Sequence, residues 1–309
     1  MRRGNAFLSF MHETYRGEKR GGTMGREENL AVFQDTEHRC KTNQRLIEGI
    51  ANSVAKQKLI LEGDGATDAF PGKTLKKNRY QKAAKVVVSK KRSFEAASAY
   101  QGKKVCVHNF ASATNPGGGV TKGSTAQEEC LCRCSTLYFC LNTEIPWGSF
   151  YDPHRAAQDP IHNDDCIYTP DVIVMKTDEA IPQIMQEKDW YSVDVITCAA
   201  PNLRERPSNQ MNSGDGQASV KLSSQEQLAL HEKRLRRILD VAALAGEEVV
   251  ILGAFGCGAF ENDPQAVATA ASNVITDYLH AFETIEFAIY CSPRDERNFG
   301  FFERAMKDM

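Results

Sequence analysis

Residues 104–129 read KVCVHNFASATNPGGGVTKGSTAQEE. They place a strand, a glycine loop and the start of a helix in immediate succession. KVCVHNF (104–110) is a short apolar run closed by turn-forming residues, and it reads as a buried strand. From Thr125 to Leu141 small and apolar residues predominate and predict a helix. Between them, Asn115-Pro116 opens onto Gly117, Gly118 and Gly119. Consecutive glycines let backbone N–H groups approach a ligand with no Cβ in the way, and they accept φ > 0 at little steric cost. Seven residues later come Gln127, Glu128 and Glu129. Two carboxylates at a helix start beside such a loop are residue types suited to acid/base chemistry.

Working outward, the pattern alternates. Residues 25–62 predict two helices: Leu30, Val32 and Phe33 anchor the first, ending near Arg39, and Leu46 through Ile60 space the second. Gly63 to Gly72 is a turn-rich break. Strands are expected over Lys85–Ser89, at Ile167–Tyr168 and Asp171–Lys176, over Ser192–Ala199 and Glu248–Leu252, and over Ile285–Cys291. Helices are expected over Phe94–Tyr100, Ser224–Ala245 and Gln265–Phe282, and from about Glu296. Residues 142–165, with Pro146, Pro153 and Pro160, read as a long irregular loop of lid type, and 201–222 as a second polar loop suited to disorder or substrate contact. Strands alternating with helices from residue 85 argue one α/β sandwich around a largely buried sheet.

Composition narrows the class. The chain has 309 residues, 41% hydrophobic and 25% charged, as in ordinary globular proteins. No apolar run approaches the roughly 20 residues of a membrane span. Residues 1–23 show no export signal and read as a flexible extension. Ten cysteines without an export signal predict free thiols in a reducing compartment, the cytoplasm. Cys130, Cys132 and Cys134 lack a CxxC partner pair, so no metal is expected. The net charge of −2 conceals an asymmetry: residues 1–104 hold 22 Lys+Arg against 11 Asp+Glu, and the remainder 16 against 29. The densest basic stretch, Lys73 to Arg92, is either a solvated surface or a rest for a polyanion, and nucleic acid stays open as a partner.

The second glycine-rich stretch, GAFGCGAFENDP at 253–264, also follows a strand and precedes a helix. Open α/β sheets bind ligands at that edge, so both loops should flank one crevice, where helix N-termini favour a diphosphate. Two capping boxes compete for the carboxylate segment, Thr125 with Glu128 and Ser124 with Gln127. Glu129 belongs to neither and is the better candidate for proton transfer. A helix N-terminus stabilises a carboxylate, so a protonated Glu129 is expected only once a diphosphate ligand is bound. Phe260 fits either a core position or a stack on a sugar. A Cys257 or Cys130 nucleophile assisted by His108 or His154 has no supporting spacing.

GGG, seven residues, then QEE resembles the signature of microbial-type poly(ADP-ribose) glycohydrolases, which are built on a macrodomain. Glu27-Glu28-Asn29-Leu30, Phe33, Asp35-Thr36-Glu37, Asn109-Phe110-Ala111-Ser112, Pro201-Asn202-Leu203 and Gly253 to Pro264 extend the similarity over residues 24–305. The resemblance implies a macrodomain-like three-layer α/β sandwich with a mixed central sheet: a single catalytic domain over 24–309, with a helical N-terminal extension (24–84) and a core (85–309). It implies metal-free, cofactor-free hydrolysis of ribose–ribose bonds in poly(ADP-ribose), releasing ADP-ribose. Glu129 would be the catalytic acid and Glu128 its partner in positioning the ribose. Gly117, Gly118 and Gly119, with Asn109, Asn115 and Gln127 nearby, would bind the diphosphate and distal ribose. Gly256, Cys257, Gly258 and Ala259 would form the second diphosphate loop, with Phe260 against the terminal ribose. Removal of a single ADP-ribose from ADP-ribosylated proteins or nucleic acid, and non-catalytic ADP-ribose binding, remain alternatives at this level.

Overall fold

Seven strands form one mixed sheet in the order β1-β4-β5-β3-β6-β7-β2. A computed structural model describes residues 25–292 and 295–309; the extension expected at 1–23 lies outside the described residues. The chain opens with α1 (Arg26–Thr42) and α2 (Gln44–Lys56), then β1 (Lys58–Ile60) and β2 (Lys85–Ser89). Next come α3 (Ser93–Ala97), β3 (Val105–Ala111), α4 (Gln127–Cys134), α5 (Leu137–Leu141) and α6 (Asp152–Ala157). β4 (Cys166–Val174), β5 (Tyr191–Ala199), α7 (Ser224–Ala245), β6 (Val249–Leu252), α8 (Pro264–Ile275), β7 (Thr284–Ala288) and α9 (Arg297–Ala305) complete it. β5, β3, β6, β7 and β2 pair parallel in turn. β4 and β1 add two antiparallel strands at the far edge.

The period-2 pleat divides β3 between two cores. Val105 and Val107 pack with Phe33, Phe94, Leu131 and Leu137 on one face of the sheet. Cys106 faces the other way, among Ile238, Leu239, Val267 and Ala271 of α7 and α8. Helices thus cover both faces, which is why the central strands are mostly apolar and buried on both sides. Helix ends follow local chemistry: Ser223 and Glu226 form a capping box on α7, which stops at Gly246 with φ 83°. Asp263 caps α8 with Pro264 in its first turn.

Three expectations are corrected. Leu59 and Ile60 stand in β1, not the second helix: Gln57 ends α2 by donating to Thr169 Oγ1 (2.9 Å), and the next three residues pair with Cys166–Tyr168. The helix expected over 125–141 starts at Gln127 and breaks at Ser135-Thr136, where Thr136 exchanges backbone and side-chain hydrogen bonds with Ile173. Residues 142–165 are not an irregular lid. They wind through consecutive helical turns, Glu144–Pro146 and Trp147–Tyr151, into α6. Phe150 and Tyr151 are fully buried, so this segment belongs to the core. The loop 201–222 has no regular element, yet Asn202 and Asp215 are fully buried and joined by a 2.6 Å hydrogen bond.

Candidate active site

The triple glycine turns the chain sharply after β3. Gly117 and Gly118 have φ of 64° and 56°, a region that side-chain-bearing residues reach only with strain. The turn folds back so that α4 begins beside the end of β3. The α4 N-cap is Ala126, with no side-chain cap. Neither capping box forms, and the side chains of Gln127 and Glu128 take other partners. Gln127 accepts from Phe110 N (2.9 Å) and donates to Ser93 Oγ (3.0 Å) and His108 O (2.9 Å), pinning α4 to β3 and α3.

The two carboxylates differ in how they are held. Glu128 Oε2 accepts from Ser112 N (2.7 Å) and Oε1 from Asn109 Nδ2 (3.2 Å). Glu129 Oε1 accepts from Gly119 N (2.8 Å), while its Oε2 has no hydrogen-bond partner among the described residues. Both side chains flank Gly118: a Cβ there would lie 2.6 Å from Glu129 Oε1 and 3.1 Å from Glu128 Oε2.

Burial dominates their acidity. Removal from water, and then the neighbouring Glu129 charge, push Glu128 up to about 8 from 4.5. Burial also raises Glu129, against the Gly119 N–H that favours its carboxylate. Desolvation by the fold thus opposes the helix terminus before any ligand is bound. N–H donors engage both oxygens of Glu128, whereas Glu129 Oε2 accepts none among the described residues.

A pH dependence of stability follows. A carboxyl whose folded pKa exceeds its unfolded value contributes most below the unfolded pKa, and that contribution is lost as pH rises through the folded one. Between about pH 4.5 and 8 the protein should lose on the order of a few kcal/mol through this group. Glu128→Gln, which cannot ionise, should flatten that loss and melt higher than the native protein at alkaline pH. The difference should vanish in acid; melting curves across pH read it directly. Parallel curves for the two proteins would contradict the assignment.

The second loop reaches the same place. Asn262 binds it together, donating to Pro201 O (2.7 Å) and Gly256 O (3.1 Å) while its Oδ1 meets His231 Nε2 (2.8 Å). A crevice of about 340 Å³ is lined by Gly118, Gly119, Gln127, Glu128, Glu129, Gly256, Gly258, Ala259 and Phe260. Four of the residues singled out from sequence do not line it. Asn109 stands behind Glu128, and Asn115 ties Ser213 O (2.7 Å) and Arg155 Nη1 (3.2 Å) together. Gly117 faces Tyr138 and Cys132, and the buried Cys257 sulfur points at Phe255 O.

Neither cysteine has a histidine hydrogen-bond partner among the described residues. Cys130 Sγ meets Arg92 Nη1 (3.3 Å) and Arg133 Nη2 (3.1 Å), and burial raises both the Cys130 and Cys257 thiols. His108 lies among Phe110 and Phe255, and burial lowers it to about 3. His154 is spent on Phe150 O and Asn163 Oδ1.

The model of one protein family, the microbial-type PARG catalytic domain, matches residues 26–177. The structure of poly(ADP-ribose) glycohydrolase (PARG) from Deinococcus radiodurans in complex with ADP-ribose is 30% identical, covering 84% of this chain and 97% of that one, with a TM-score of 0.69. The chain belongs to the microbial-type PARG family. The PARG structure from Thermomonospora curvata matches at 24% identity and TM-score 0.75, over 91% of this chain and 100% of that one. Its counterpart bound to the inhibitor ADP-HPD matches at 25% identity and TM-score 0.73, over 90% and 99%. No curated protein matches the sequence.

Membership in the microbial-type PARG family agrees with the α/β fold and mixed sheet expected from sequence. Arg92, Asp178, Arg204, Asn212 and Tyr290 also line the crevice and were not among the site residues expected from sequence, and Ser112, quoted only as part of the family pattern, joins them. Arg92 and Tyr290 are remote in sequence from both glycine loops and meet only through the β2–β7 pairing. Arg204 and Asn212 lie in the loop 201–222, whose polar composition alone marked it for substrate contact. Among the described residues no helix is long and apolar enough to cross a membrane.

Proposed function

We infer that this chain is a poly(ADP-ribose) glycohydrolase, cleaving the ribose–ribose glycosidic bond and releasing ADP-ribose. One observation carries the reading: Glu129 lies between two glycine loops of one crevice, one oxygen held by Gly119 N–H and the other unpartnered. Non-catalytic ADP-ribose binding needs the loops but gives no reason to bury two carboxylates side by side. That arrangement costs stability and supplies a proton at neutral pH.

The backbone of Gly118, Gly119, Gly256 and Gly258 approaches the diphosphate, and Phe260 supports the terminal ribose. Glu128, anchored at both oxygens, is a fixed acceptor for a ribose hydroxyl. Glu129 Oε2 gives its proton to the leaving oxygen as the anomeric bond lengthens. Positive charge growing on the ribose is offset by the adjacent diphosphate. Glu129, now ionised, takes a proton from the incoming water, so one group acts as acid and then as base. None of these steps calls on a cofactor. The buried thiols suit a reducing, cytoplasmic location.

Incubation with poly(ADP-ribosyl)ated and mono-ADP-ribosylated protein side by side tests the reading. Free ADP-ribose should accumulate from the polymer. Release from the mono-modified protein alone would establish a mono-ADP-ribosyl hydrolase, and release from neither a binding module.

A further inference from the structure

Two cationic side chains line the crevice, Arg92 and Arg204. Arg92 is occupied: its guanidinium carbon lies 4.0 Å from the Tyr290 ring centroid, and it donates to Cys130. Arg204 is held on one side only. Its Nε donates to Asn202 Oδ1 (3.0 Å) and one Nη2 hydrogen to Pro207 O (2.6 Å). Among the described residues it forms no ion pair, and Nη1 has no hydrogen-bond partner. A half-buried guanidinium with one edge spent on its own loop keeps the other edge available to a ligand in the crevice it lines.

Its position is referred to the catalytic carboxylates by an unbroken relay of hydrogen bonds. Asn202, which receives Arg204, donates to Asp215 Oδ2 (2.6 Å), and Asn212 donates to the same oxygen (2.7 Å). Asn212 Oδ1 accepts from Ser112 Oγ (2.8 Å), and the backbone N–H of Ser112 holds Glu128 Oε2 (2.7 Å). Buried, fully partnered networks of this kind fix relative geometry. The guanidinium carbon also sits 5.5 Å from the Phe260 ring centroid, at the end of the crevice assigned above to the terminal ribose.

We propose that Arg204 is a specificity-determining residue for polymeric substrate, its free guanidinium edge taking the diphosphate of the unit on the leaving side of the scissile bond. This rests on the polymer-hydrolase reading. The diphosphate of the unit being released is served by main chain from the two glycine loops. In a polymer the departing oxygen belongs to the next adenosine, whose own 5′-diphosphate lies a few bonds away. An amino-acid side chain carrying a single ADP-ribose offers no such group. Arginine matches a phosphate with two parallel N–H bonds, which a point charge cannot do.

The test compares native protein, Arg204→Met and Arg204→Lys for kcat/KM on poly(ADP-ribose) at several salt concentrations and for the Kd of free ADP-ribose. Arg204→Met should lose roughly 10- to 100-fold in kcat/KM on polymer, the range for one charged hydrogen-bonding group. The slope of its log rate against log salt should become shallower by about one. Its Kd for ADP-ribose should stay within about twofold, since no contact to that unit is lost. Arg204→Lys should keep the salt slope and lose less rate; it serves as the decisive variant if the methionine substitution lowers the melting temperature. An equal loss of ADP-ribose affinity would place the guanidinium on the released unit and overturn the proposal, as would unchanged polymer hydrolysis in a folded variant. Failure of the native protein to release ADP-ribose from polymer would instead reject the function itself.

Discussion

Glu129→Gln should reduce kcat on poly(ADP-ribose) by 10³-fold or more, toward the upper end for removal of a general acid/base, while ADP-ribose affinity is largely kept. The amide is isosteric, and its oxygen can still accept the Gly119 N–H that now holds Oε1 at 2.8 Å. The crevice keeps its shape and only the transferable proton is lost. The same group serves as acid and then as base, so both half-reactions should slow. In the native protein, burial raises Glu129 above the ordinary carboxyl range, so kcat should fall toward alkaline pH as Glu129 loses its proton. That alkaline limb should be absent from the residual activity of the variant. Single-turnover release of ADP-ribose, with calorimetry of ADP-ribose binding beside it, measures both quantities; hydrolysis within tenfold of native would remove Glu129 from the mechanism.

Gly118→Ala is expected to be nearly as damaging without touching a reactive group. The new methyl would stand 2.6 Å from Glu129 Oε1 and 3.1 Å from Glu128 Oε2, at a residue with φ of 56°. The backbone cannot retreat easily, since Gly118 N is bonded to Asn115 O at 3.0 Å and Val120 N to Gly117 O at 3.1 Å. The carboxylates must move instead, and misplacement of about 1 Å can cost roughly 10²-fold in rate. Stability should fall by about 1 kcal/mol for the left-handed alanine, plus whatever the displaced hydrogen bonds contributed. Gly148→Ala is the control, because a Cβ there meets nothing within 4 Å. A Gly118→Ala variant with native kcat would mean that the carboxylates are not positioned against this turn.

Much of the site could be read in the chain because its parts are contiguous. The glycines that make the turn and the glutamates it presents lie within thirteen residues, so spacing carries geometry. The second loop was legible for the same reason: Gly253 to Pro264 is one strand-loop-helix unit. Local competition was harder to judge. Thr125 and Ser124 each offered a capping box, and neither forms, because Gln127 is drawn to the end of β3 and the helix starts one residue later than the first box requires and two later than the second. Trp147, Phe150, Tyr151 and His154 have helical spacing, but three prolines obscured it, and the burial of Phe150, Tyr151 and His154 placed a core segment where a lid was expected.

Local order in the chain was enough to specify an α/β protein with two phosphate-type loops at one sheet edge and a pair of glutamates between them. Such features need only backbone preference and the order of strand, loop and helix. Proton affinity needed the folded molecule: Glu128 and Glu129 are shifted by the water that packed neighbours exclude, and no neighbour in sequence predicts that exclusion. The convergence of Arg92, Tyr290 and Arg204 on the same crevice likewise required the sheet, since long-range pairing of strands joins residues that the chain keeps far apart.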